Sequence, residues 1–83
     1  MVKNLIGNQN AGFTIIGQEL DSQNTGKVIA IRLLPQIASG ALSTEYVTWG
    51  TNAITGSQAY FGGHYFDTFQ QAVADFAQRR LGS

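Results

Sequence analysis

The chain has no cysteine, one histidine and one proline, and only ten of its 83 residues are charged. Each shortage excludes something. Without cysteine there is no disulfide framework, no thiolate metal site and no cysteine nucleophile. Small secreted domains often lean on disulfides, so a cytoplasmic location is expected. One histidine without cysteine makes a poor ligand set for a metal. The 12% of charged residues is about half the usual ~25%. Five basic and five acidic side chains cancel. Lys3, Lys27, Arg32, Arg79 and Arg80 are scattered, which gives no patch to neutralise a run of phosphates. Nucleic acid is therefore the less favoured partner. Zero net charge also removes the repulsion that keeps copies apart, which favours self-association. No stretch approaches the ~20 apolar residues of a membrane span, so no membrane contact is expected. The start, Met1 to Gly7, lacks the apolar core of a signal peptide.

Polarity comes instead from Gln, Asn, Ser, Thr and Gly, and 43% of the residues are hydrophobic. That composition suits one folded domain over 1–83 and not a disordered chain. Residues 1–11 are polar and Asn-rich and read as an arm or a loosely held first segment. Phe13 to Leu20 and Lys27 to Leu34 are rich in β-branched residues. Between them Asp21-Ser22-Gln23-Asn24-Thr25-Gly26 is dense in turn formers, so the two runs read as an antiparallel hairpin. Pro35 ends the second strand, because it cannot donate to a ladder. Gln36 to Ser43 reads as a loop or a brief helical turn. Glu45 to Trp49 is a third strand, Gly50 to Ser57 a polar connection, and Gln58 to Phe66 a fourth strand with a bulge or bend at Gly62-Gly63.

The last segment has helical periodicity. Asp67 is an apt N-cap, with Gln70 three residues on. Phe69, Ala72, Val73 and Phe76 fall at i, i+3, i+4 and i+7 and define one stripe. Arg79 and Arg80 suit the negative end of the helix dipole. Gly82-Ser83 reads as a tag remnant and carries no expected function. The expected fold is α+β: a three- to four-stranded antiparallel sheet with a C-terminal helix packed on one face (ββββα), the stripe of Phe69, Val73 and Phe76 against the sheet. One helix covers one face of a sheet, so the second face must be solvated or must bind something.

No catalytic constellation is legible. His64 has Asp67 close in sequence, but a catalytic histidine needs an orienting acid and a nucleophile, and no hydroxyl partner can be placed. A hydrogen-bonded structural histidine at a strand end is the simpler reading. The run from Asp21 fails as a calcium loop: Gln23, Thr25 and Arg32 stand where an EF-hand needs Asp or Asn, Asp or Asn, and Glu. Gly62-Gly63 is not followed by Lys-Ser or Lys-Thr and cradles no phosphate. The acids Glu19, Asp21, Glu45, Asp67 and Asp75 show no paired spacing for general acid–base work. The chain is thus expected to be no enzyme, with no cofactor and no metal.

Aromatic residues crowd the second half of the chain. Alternation places Val47 and Trp49 on one face and Tyr46 and Thr48 on the other. Tyr46, Thr48, Arg32 and Tyr60 are the candidate partner-binding residues on the open face, subject to a one-residue slip in register. Tyrosines there would anchor a protein partner or a homodimer. The alternative is stacking on bases, which would make a small RNA- or single-stranded-DNA-binding or regulatory module.

Tyr46-Val47-Thr48-Trp49, a short loop, Gly63-His64-Tyr65-Phe66 and a helix with Ala72, Asp75-Phe76 and Arg79 together resemble small uncharacterised proteins of Gram-positive bacteria, their phages and conjugative elements. The resemblance spans residues 46–79. It implies a strand–hairpin–helix arrangement and no assigned reaction. By analogy of size and genomic company, it implies an inhibitor of a host defence nuclease of the anti-CRISPR kind.

Overall fold

The computed structural model describes residues 2–35 and 42–80. Five strands precede one helix: β1 (Gln9–Asn10), β2 (Phe13–Leu20), β3 (Gly26–Pro35), β4 (Leu42–Ile54), β5 (Ser57–Phe66) and α1 (Phe69–Gln78). The strands form one antiparallel sheet in chain order, β1 to β5. The fold is α+β as expected, with one strand more. Most of the loop expected at Gln36 to Ser43 lies outside the described residues, as does Gly82. Leu42 and Ser43 belong to β4.

The β2–β3 turn forms for the reason the sequence suggests. The Asp21 carboxylate accepts from the backbone N–H groups of Gln23 (2.8 Å) and Thr25 (3.0 Å), an Asx turn that fixes the reversal locally. The connection expected at Gly50 to Ser57 is instead mostly strand. Only Thr55 and Gly56 turn the chain, at φ 48° and 81°, the left-handed pair that suits a two-residue hairpin. Thr51 is held in the ladder region by burial, its hydroxyl donating to the Ala59 carbonyl at 2.6 Å. The bulge at Gly62-Gly63 is present. Thr48 pairs with His64 and Gly50 with Phe61, so two glycines oppose Trp49. Gly62 sits at φ 63°, the left-handed conformation a bulge of this kind asks of its first residue. A second bulge lies at Ile16, between the pairs Ile15–Ala30 and Gly17–Ile29.

The N-terminal segment is anchored, not an arm. Leu5 is only 3% exposed and belongs to the core. Gln18 clasps its backbone, accepting from Leu5 N–H (2.5 Å) and donating to the Lys3 carbonyl (2.7 Å). The polar composition misleads here because one buried leucine and one side-chain clasp suffice to dock the segment.

The core lies on the sheet face opposite the helix, not beneath it as expected. Leu5, Phe13, Ile15, Val28, Ala30, Val47 and Trp49 form the apolar cluster, with Leu20 and Tyr60 packed against it. None of these belongs to the helix. Register places them together: Val28 opposes Trp49, and Ala30 opposes both Val47 and Ile15. The Phe13 ring meets Trp49 edge-on at 5.6 Å and lies 6.0 Å from Tyr65. Phe13 is on β2 and Tyr65 on β5, two strands that are not neighbours. The sheet therefore curls until its own concave face closes on itself, and bulges sharpen such twist. A curled sheet needs no helix to bury that face.

Helix α1 lies on the convex face. Its contacts are Tyr46 with Phe69, Thr48 with Asp75, and Lys27 with Phe76 and the last carbonyls. The expected burial of Phe69, Val73 and Phe76 is overturned. Ala72 is the helix residue that is buried. Phe69 and Val73 are 52% and 40% exposed, and Phe76 is half-buried under Lys27. Periodicity shows that these side chains share a stripe but not that the stripe points inward. The N-cap is Thr68, not Asp67: its hydroxyl accepts from Gln71 N–H at 3.2 Å.

Candidate functional site

Beneath the helix runs a polar layer. Thr48, at the centre of β4, is fully buried and donates its hydroxyl proton to Asp75. Arg79, at the helix C-cap, reaches back over the sheet. Its Nη1 donates to the Thr48 carbonyl and hydroxyl oxygens, each at 3.0 Å, and its Nη2 to the Gly62 carbonyl. The Arg79 side chain is only 6% exposed. Lys27 of β3 is also buried and donates to the carbonyls of Arg79 (2.8 Å) and Ala77 (3.4 Å). Its ammonium group satisfies the carbonyls left unpaired at a helix end, where the dipole favours a cation.

His64 belongs to the rim of this layer, and its acid is Asp75, not Asp67. Both Asp75 oxygens lie 3.1 Å from His64 Nδ1, and Arg79 Nη1 lies 3.2 Å from the same nitrogen. Two carboxylate oxygens facing Nδ1 favour the tautomer with its proton there. Partial burial pushes the Asp75 carboxyl upward. Hydrogen bonds from Thr48 and His64, with the charges of His64 and Arg79, outweigh it and hold the group below the ordinary aspartate value. The one hydroxyl in the network, Thr48, is buried and committed to Asp75. This is the arrangement of an acid that positions a helix more than of a base aimed at a nucleophile. Among the described residues no cavity opens beside it and no three metal-ligating side chains converge.

The four candidate binding residues do not share a face. Tyr46 and Thr48 lie under and beside the helix. Arg32 lies on the opposite face, paired with Glu45 and set 4.4 Å over the Phe13 ring. Tyr60 flanks the core, 5.6 Å from Trp49, where burial raises its phenol above the ordinary value. The reason is register: β3 pairs with β4 so that Arg32 faces with Val28 and Ala30, while Tyr46 opposes Ile31. The open face expected on Tyr46, Thr48 and Arg32 together does not exist.

What the structure does leave open is an apolar strip on the convex face. By alternation Ile29, Ile31 and Leu33 follow one another along β3. Ile29 is buried, Ile31 is half-buried and Leu33 is 61% exposed. Ile31 opposes Tyr46, whose ring meets Phe69 at 5.6 Å, and Val73 lies four residues after Phe69, on the same side of α1. Leu33, Phe69 and Val73 were missed as surface residues. The adjacent pair Leu33-Leu34 was a signal, since neighbours in a strand cannot both face inward. Strand addition is disfavoured at both edges of the sheet: β1 is two residues long, and β5 carries the bulge whose Gly62 carbonyl Arg79 occupies.

Comparison with protein-family models, curated proteins and solved structures gives no match. Among the described residues no helix is long and apolar enough to cross a membrane.

Proposed function

We propose that this chain is a non-enzymatic protein-binding module whose contact surface is the convex apolar strip of Ile31, Leu33, Tyr46, Phe69 and Val73. The observation that carries this reading is the exposure of Leu33, Phe69 and Val73 on one face. Large apolar side chains grouped half in water on one face mark a protein interaction site, and aromatic rings such as those of Tyr46 and Phe69 are enriched at interfaces. The basic residues point the same way. Lys27 and Arg79 are committed under the helix and Arg32 pairs with Glu45, which leaves little cationic surface for a nucleic acid. The narrower reading, an inhibitor of a host nuclease, would act by shape, because a chain of balanced charge does not mimic DNA.

The test is capture by the parent against capture by Leu33→Ser/Phe69→Ser, with circular dichroism to check the fold. Loss of a specific partner in the double variant supports the strip, since interface anchors contribute ≥ ~2 kcal/mol each. If the parent self-associates and the variant is monomeric, the partner is a second copy. A folded variant that binds and assembles like the parent refutes the assignment.

A further inference from the structure

The helix is attached to this domain differently from everything else. The apolar core is complete without it, drawn from the N-terminal segment and strands β2 to β5. The helix adds one buried side chain, Ala72. Beyond that, Phe69 meets the Tyr46 ring near its N-terminus and Phe76 lies under Lys27, and the charged contacts gather at its C-terminal half. Facing Asp75 are the Thr48 hydroxyl from β4, His64 from β5 and Arg79 from the helix end itself. From β3, Lys27 holds the last carbonyls and lies 3.7 Å from Glu19 of β2.

We propose that α1 is a releasable lid, which leaves the convex face as a unit while the curled sheet stays folded, and that neutralising Asp75 drives its release. Leaving exposes Thr48, Lys27, Ile29 and Ala72 but opens no gap in the cluster around Val47 and Trp49. Asp75 is the anion on which Thr48, His64 and Arg79 converge. Its carboxyl is held below the ordinary value of 3.8 in the docked state. Docking is therefore strongest while it is charged and is lost as pH falls through that lowered value. A proton on His64 adds a charge 3.1 Å from the Asp75 oxygens and 3.2 Å from Arg79 Nη1. Attraction and repulsion at such similar distances oppose each other, so Asp75 is the controlling group. The lid does not depend on the strip being a binding surface.

Native-state hydrogen exchange on the full chain at low denaturant tests it. The amides of Val73 to Gln78 should exchange through an opening at least ~100-fold more populated than the one that exposes core amides of β3 and β4. Asp75→Asn should speed the helix amides by ~10-fold or more while moving the β3 and β4 amides less than ~2-fold. One common opening free energy for helix and sheet in the parent overturns the proposal. So does an Asp75→Asn variant that accelerates all amides alike. Should that variant fail to fold, the comparison within the parent decides alone.

Discussion

Phe13 and Phe69 are both phenylalanines in regular structure, and truncation should cost much more at the first than at the second. Phe13 is 2% exposed and touches Trp49, Tyr65 and the Arg32 guanidinium. Phe13→Ala removes the transfer energy of the ring and leaves a cavity in the closed face of the sheet, a loss of ~3–5 kcal/mol. At ~0.05–0.15 kcal/mol per residue, 83 residues supply only ~4–12 kcal/mol in all. Phe13→Ala should therefore lose from about a quarter to all of the folding free energy. Phe69 is half in water and its ring meets that of Tyr46. Half of the ~1.5–3 kcal/mol for full burial, with ~0.5–1.5 for the aromatic pair, bounds its loss at ~1–3 kcal/mol. Urea unfolding followed by circular dichroism compares the two without relying on Trp49, which Phe13 touches. If Phe69→Ala costs as much as Phe13→Ala, or more, the helix stripe is core and the assignment of faces is wrong.

Leu5→Ala should cost ~2–5 kcal/mol, a core value for a residue in a polar N-terminal segment. A melting temperature within a degree of the parent would mean that the segment is not docked. Gly62→Ala should destabilise by ~1 kcal/mol or more, because φ is 63° there and a Cβ would sit 2.7 Å from Arg79 Nη2. An alanine variant as stable as the parent would remove the bulge from the account.

The sequence made some elements legible and hid others for physical reasons. The β2–β3 reversal was readable because Asp21 writes its own turn with two local hydrogen bonds. The bulge was readable because paired glycines within a strand have few other uses. The helix was readable from its period, though the cap is Thr68 and not the expected Asp67. Strand β4 was underestimated: Thr51 and Asn52 look like loop residues until their partners on β5 are known. The face assignment failed most. A period of two states which residues share a face, but the choice of inner face depends on how far the sheet curls. That is fixed by contacts between distant residues, such as Phe13 with Tyr65 and Leu5 with the core. The candidate site failed with it. The network of Thr48, His64, Asp75 and Arg79 joins residues up to 31 apart in the chain, and no local spacing announces it.

The core is the sheet face turned away from the helix, and through-space proton contacts of the aromatic rings test this most directly. Their steep distance dependence separates touching rings from distant ones. The Phe13 ring should show contacts to Tyr65 and to the Trp49 indole, at ring separations of 6.0 and 5.6 Å. Phe69 should show contacts to Tyr46, 5.6 Å away, and the Trp49 indole none to Phe69, Val73 or Phe76. Contacts from Trp49 to those helix residues, with none between Phe13 and Tyr65, would place the helix on the apolar face and contradict the account.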